Sequence, residues 1–142
     1  MKKKTLLIVY SRDKNKFGME LEEMLAGLGS KVHVVIYRTT LELTGRLRLP
    51  LSESSIAVIL IADEKDLKGI LSIKPLLINM RVVLILPDRS DVTIEAGHSL
   101  HPRYLSFTDN SLKDINAVLT RMIEVEKATY KEVQKQRLSI RA

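Results

Sequence analysis

Asp63 closes the apolar run I-A-V-I-L-I-A-D over residues 56–63, and a carboxylate in that position could accept a phosphoryl group or help to hold a divalent cation. Asp13 and Asp88 also lie just past apolar runs, at 5–10 and 81–86. If the three runs are parallel strands of one sheet, the three aspartates converge at its carboxyl edge, and their oxygens suit Mg²⁺. The competing role for Asp63 is structural: an aspartate ahead of a helix accepts hydrogen bonds from the first turn, and Asp66 three residues on resembles a capping box with a shorter acid. Glu95 and His98 have the E-x-x-H spacing seen in metal sites, and His101 would share their face if residues 91–101 were helical. Against a metal there, the chain offers no second ligand cluster, and histidines near a helix end commonly cap or face solvent.

These residues need elements to position them, and the apolar pattern supplies them. Residues 5–10, 31–38, 56–62 and 81–86 are nearly continuous runs rich in Val, Ile and Leu, as strands buried on both faces read. Residues 103–107 are shorter and alternate more, as an edge strand would. Between them lie helical stretches. Phe17, Leu21, Met24, Leu25 and Leu28 share one face, with Gly29 ending that helix. Thr40 is a cap for a short helix through Leu47, closed by Pro50; a third helix covers Leu67, Ile70 and Leu71 until Pro75 breaks or kinks it. Asp91 caps a weak helix to Leu100, and a last helix runs from Leu112 to about Gln136. Strands alternating with helices give a doubly wound five-stranded parallel sheet with helices on both faces, for which the common order 2-1-3-4-5 is expected. The division expected is an α/β domain over 1–126 and a basic helical extension over 127–142, which could contact a second copy or another protein.

With 142 residues, 45% hydrophobic and 28% charged, the chain has the size and composition of one globular domain. No cysteine is present, which excludes disulfides, thiolate metal sites and a thiol nucleophile. The formal net charge of +6 is concentrated in Lys2–Lys4 and beyond residue 126, and with aromatics at only 4% the pattern argues against a nucleic-acid binder. No apolar stretch is long enough to span a bilayer, and the basic start followed by a short apolar run lacks a cleavage site, so a cytoplasmic protein is expected. There is no G-x-G-x-x-G, G-x-x-x-x-G-K-[ST] or G-x-S-x-G, and no serine with an arranged base, so an enzyme has no sequence support.

In the order of its elements and in the aspartate after strand three, the chain resembles the CheY-like receiver domain of bacterial response regulators over about its first 125 residues. That resemblance implies an acidic pair after strand one, a phospho-accepting aspartate after strand three, a hydroxyl after strand four and a lysine after strand five. Asp63 matches the acceptor. The other positions hold Tyr10 and Ser11, Leu86 or Pro87, and Phe107 or Thr108, so the chain looks like a degenerate receiver. The function implied is a non-catalytic regulatory or protein-interaction domain in bacterial signalling. It would use no cofactor, or Mg²⁺ alone, and bind another signalling protein or a second copy of itself. The family's usual partner face corresponds here to Arg89, His98, Arg103, Tyr104 and Lys113. Two alternatives remain: an atypical receiver phosphorylated at Asp63 with Mg²⁺, and a small flavodoxin-like ligand-binding or enzymatic domain using the loop 11–16. That loop lies where flavodoxins bind phosphate but lacks their glycine and repeated hydroxyls.

Overall fold

The computed structural model describes residues 4–12, 15–52 and 54–125. Five strands, β1 (Thr5–Tyr10), β2 (Val32–Tyr37), β3 (Ile56–Leu60), β4 (Arg81–Leu86) and β5 (Tyr104–Phe107), form one parallel sheet in the order β2-β1-β3-β4-β5. The order places β1 beside β3 at the centre, with Tyr10 opposite Tyr37 on one side and Ile59 on the other. The helices are α1 (Lys16–Ala26), α2 (Thr40–Leu47), α3 (Glu64–Ser72), α4 (Lys74–Leu77), α5 (Asp91–His98) and α6 over residues 112–125. Among the described residues no helix is long and apolar enough to cross a membrane.

Strand periodicity sorts the core into two layers. Leu7, Val9, Val58, Leu60, Val83 and Ile85 face α1 and α6 and pack on Leu21, Leu25, Ile115 and Leu119. Ile8, Ala57, Ile59, Ile61, Leu84 and Leu86 face the other way, onto Leu43, Leu47, Leu67, Ile70 and Leu77 of α2, α3 and α4. The three inner strands are buried throughout apart from Leu6 and Arg81, whereas β2 and β5 are mostly half-exposed. Each fully buried Leu, Ile or Val contributes roughly 1.5–3 kcal/mol.

Several boundaries differ from the sequence expectation for identifiable reasons. β3 ends at Leu60, not Ala62: Ile61 N–H still reaches Ile85 O at 2.9 Å, but Ala62 N–H turns to the Asp66 side chain. Thr39, not Thr40, caps α2 by accepting from Glu42 N–H. Ser90, not Asp91, caps α5, accepting from Thr93 N–H, and α5 stops at His98. Pro75 does interrupt its segment: α3 ends at Ser72 and α4 starts afresh with the proline in its first turn. The extension over 127–142 lies outside the described residues.

Two helical glycines make a controlled contrast. A Cβ on Gly97 of α5 would meet Leu86 Cδ1 at 2.9 Å and Leu84 Cδ2 at 3.3 Å, so a side chain there would push on two fully buried leucines of β4. A Cβ on Gly45 of α2 would meet nothing within 4 Å. Gly97→Ala is expected to destabilise the fold by about 1 kcal/mol, overpacking outweighing the propensity gain, whereas Gly45→Ala should stabilise the protomer by up to about 1 kcal/mol. Urea unfolding of the two variants checks this, and equal shifts would contradict the packing described.

Candidate functional site

The carboxyl ends of β1 and β3 lie side by side, and the chain leaving each contributes to one polar cluster. Past β3, Asp63 adopts extended backbone geometry and caps α3, its Oδ1 accepting from Asp66 N–H at 2.9 Å. Asp66 does not return the bond to its capping partner, as a capping box would; its Oδ2 accepts from Ala62 N–H at 3.0 Å, one residue earlier. Asp66 is only 2% exposed. A carboxylate so buried requires donors, and the end of β1 and the segment leaving it supply two more: the Tyr10 hydroxyl, 2.9 Å from Oδ1, and Arg12 Nη1, 3.3 Å from the same oxygen.

Arg12 bridges both acids, because its Nη2 also donates to Asp63 Oδ2 at 2.6 Å. Planar guanidinium geometry suits such a bridge, since its donors diverge at fixed angles. The Asp63 carboxyl is held below the usual carboxylate range, first by the Asp66 backbone N–H and then by Arg12. Burial pushes the Tyr10 phenol above its ordinary value; the Asp66 carboxylate adds to this, while a hydrogen bond with Thr40 and the charge of Arg12 oppose it. The phenol therefore stays protonated and donates. Gly69 of α3 admits Thr40 to this corner, since a Cβ there would lie 2.8 Å from Thr40 Oγ1.

The exit of β1 is fixed from the other side as well. Arg38, just past β2, pairs with Glu22 of α1 through two bonds of 2.7 and 3.0 Å and donates to Ser11 O at 3.1 Å. The Ser11 side chain is fully buried, and its hydroxyl has no hydrogen-bond partner among the described residues. At the ends of β4 and β5, Leu86 is fully buried and Thr108 Oγ1 donates to Pro87 O at 3.4 Å. Neither position directs a hydroxyl or ammonium toward Asp63.

Of the three aspartates expected to gather a cation, Asp13 lies outside the described residues. Asp88 accepts from Ser90 N–H at 2.9 Å, which lowers its carboxyl below the usual range, and it serves the start of α5. Among the described residues no group of three His, Asp or Glu side chains could hold a metal ion. Glu95, His98 and His101 do not share a helical face: α5 ends at His98, and His101 takes a left-handed φ of 52° ahead of Pro102. The expected partner residues surround β5. Arg89 lies 4.0 Å over the Phe107 ring and bonds to Asp109 and Asn110, Tyr104 packs toward the α1/α6 layer, and His98, Arg103 and Lys113 are exposed.

Sequence pattern alone does not mark Arg12 or Asp66 as site residues. The partners of Arg12 come 51 and 54 residues later in the chain, so no local spacing signals them. Asp66 was visible only as a capping acid.

No family model matches the chain, and no curated protein matches it in sequence. Solved structures do match in fold. A CheY-like response regulator receiver domain protein from Methanospirillum hungatei superposes with a TM-score of 0.65 at 14% identity, covering 89% of this chain and 98% of its own. A protein from Burkholderia pseudomallei described as pilus assembly-related gives a TM-score of 0.60 at 17% identity, over 84% of this chain and 90% of its own. A protein from Burkholderia thailandensis described as a pilus assembly protein gives 0.58 at 15% identity, over 86% and 99%. With its strand order and two helical layers, the chain has the fold of CheY-like receiver domains.

Proposed function

We propose that this is a receiver-like regulatory domain that acts by binding and is not switched by phosphorylation in the usual way of receivers. The observation that carries the reading is Arg12. Its guanidinium is a fixed positive charge between Asp63 and Asp66, the position in which a divalent cation would otherwise have to gather carboxylates and phosphoryl oxygens. Tyr10 and Ser11 add no carboxylate to attract such a cation, Leu86, Pro87 and Phe107 add no hydroxyl or ammonium to hold a phosphoryl group, and the Thr108 hydroxyl is engaged with Pro87 O. The partner surface proposed runs along β5 through Arg89, His98, Arg103, Tyr104 and Lys113. The pilus-assembly descriptions of two structures with this fold widen the proposed setting from signalling to a macromolecular assembly.

One observation favours a second reading, an atypical receiver phosphorylated at Asp63 with Mg²⁺: the Asp63 side chain is 50% exposed, so a phosphodonor can reach it. An amide chemical-shift titration with Mg²⁺ and then beryllofluoride, an aspartyl-phosphate mimic, separates the two. The binding-module reading predicts unmoved amides at Arg12, Asp63 and Asp66 in the native chain and in Arg12→Lys, with Mg²⁺ shifts emerging only in Arg12→Ala. Saturable shifts in the native chain, enlarged by beryllofluoride, would overturn it.

The site also sets an acid dependence. Asp63 and Asp88 have folded-state pKa values below their ordinary ones, so as pH falls the unfolded chain binds protons first. The stability they contribute is present above roughly pH 4 and is lost as pH falls through the folded values. Thermal unfolding midpoints should hold steady from about pH 7 to 5 and drop below about pH 4. Asp63→Asn, which keeps a capping oxygen, should lessen that drop; an unchanged acid slope in this variant would show that Asp63 does not contribute.

A further inference from the structure

At the carboxyl edge of the sheet the arginines are engaged with acids: Arg12 with Asp63 and Asp66, Arg38 with Glu22, and Arg89 with Asp109. The opposite edge, where the strands begin, is arranged otherwise. α2 returns from the end of β2 toward the start of β3, and α4 immediately precedes β4, so the last turn of α2 and all of α4 lie at this amino-terminal edge. The two pack together there: Leu47 and Leu77 belong to one buried cluster, with Leu51 and Leu76 against it. Arg46, Arg48 and Lys74 stand at this corner, and none of them forms an ion pair among the described residues. Residues 43–52 and 73–80 contain no acid.

The same corner turns aliphatic side chains to solvent. Leu49 and Ile78, just past the ends of α2 and α4, are 58% and 57% exposed, and Pro50 and Pro75 are exposed as well. Cations near a helix C-terminus offset its dipole, but that role gives no reason for Leu49 and Ile78 to stand in water. An anionic lipid surface accounts for both, taking aliphatic groups into its acyl boundary and cations among its headgroups. A nucleic acid would meet the cations and make no use of Leu49 and Ile78. We propose that the corner formed by α2 and α4 is a peripheral docking surface for an anionic bilayer. Only side chains enter the lipid, so the binding is weak, reversible and sensitive to salt. The formal net charge of +6 draws the chain toward such a surface from a distance. Docked by this edge, the chain holds Arg12 and Asp63, at the other end of the strands, away from the bilayer. The proposed partner residues around β5 take no part, so either surface can fail its test without the other.

Cosedimentation of the full chain with vesicles of phosphatidylglycerol and phosphatidylcholine should show binding at about 50 mM NaCl that is lost at about 500 mM, and none to phosphatidylcholine alone. Arg48→Glu and Lys74→Glu should each weaken it about fivefold or more, and Lys65→Glu, the same charge change at the carboxyl edge, by less than about twofold. Each variant is first shown by urea unfolding to keep the fold. Because the chain has no tryptophan, Ile78→Trp reports insertion directly, and its emission should shift to the blue on anionic vesicles. Val92→Trp, at the exposed start of α5, should not shift. The proposal would be overturned by an absence of vesicle binding or by equal binding to neutral vesicles. Equal losses in Lys65→Glu and Arg48→Glu, equal shifts at residues 78 and 92, or retention of a DNA duplex while anionic vesicles stay unbound would also overturn it.

Discussion

The site depends on the burial of one carboxylate. Asp66 is held almost out of solvent in the first turn of α3, where an ionised side chain is tolerated only if its oxygens are met by donors. The donors come from three places: the backbone at the exit of β3, the phenol at the end of β1 and the guanidinium two residues beyond it. Satisfying Asp66 therefore ties β1, β3 and α3 together at the one edge of the sheet where this class of fold keeps its chemistry. The same arrangement draws Ala62 N–H off the sheet ladder and ends β3, and it leaves Arg12 placed to pair with Asp63.

The sheet makes this economical. With β1 and β3 adjacent and buried on both faces, their last residues are fixed relative to one another, so two side chains from distant parts of the sequence meet a third with little additional ordering. Arg38 performs a related task one strand over, joining β2, α1 and the Ser11 carbonyl. Ion pairs and hydrogen bonds at the carboxyl edge thus follow from the strand order, and the pairing of acids with arginines there replaces the acid-and-lysine pattern implied by the receiver resemblance. Chemically the cluster is an already engaged corner, with a protonated phenol, two carboxylates and a guanidinium bonded to one another and one negative charge in excess.

What the sequence made legible was whatever depends on local pattern. The runs T-L-L-I-V-Y and R-V-V-L-I-L have the bounds of β1 and β4 because strands buried on both faces must be apolar throughout. The parallel, doubly wound class follows from alternating strands and helices, the strand order is the common one for five strands, and Asp63 caps α3 as its spacing from Asp66 indicated. Contacts distant in sequence were not legible. The ion pairs of Arg12 are formed only when β1 and β3 become neighbours, and the exit of β3 is decided by a side chain rather than by strand propensity. Cap choices erred by one residue at α2 and α5, where two capping types stand side by side, Thr39 with Thr40 and Ser90 with Asp91, and propensity does not distinguish them. His101 does not join the face of Glu95 and His98, because α5 ends at His98 and the chain takes a left-handed turn at His101 before Pro102.

The central claim is that Arg12 is the cation on which the buried Asp66 carboxylate depends. A double-mutant cycle tests it most directly, with urea unfolding of the native chain, Arg12→Ala, Asp66→Asn and the pair together. The account predicts a favourable coupling on the order of 1–2 kcal/mol, so that removing Arg12 costs much less once Asp66 is neutral. Additive effects, with coupling near zero, would mean that Tyr10 and the Ala62 backbone suffice for Asp66 and that Arg12 is an incidental surface charge.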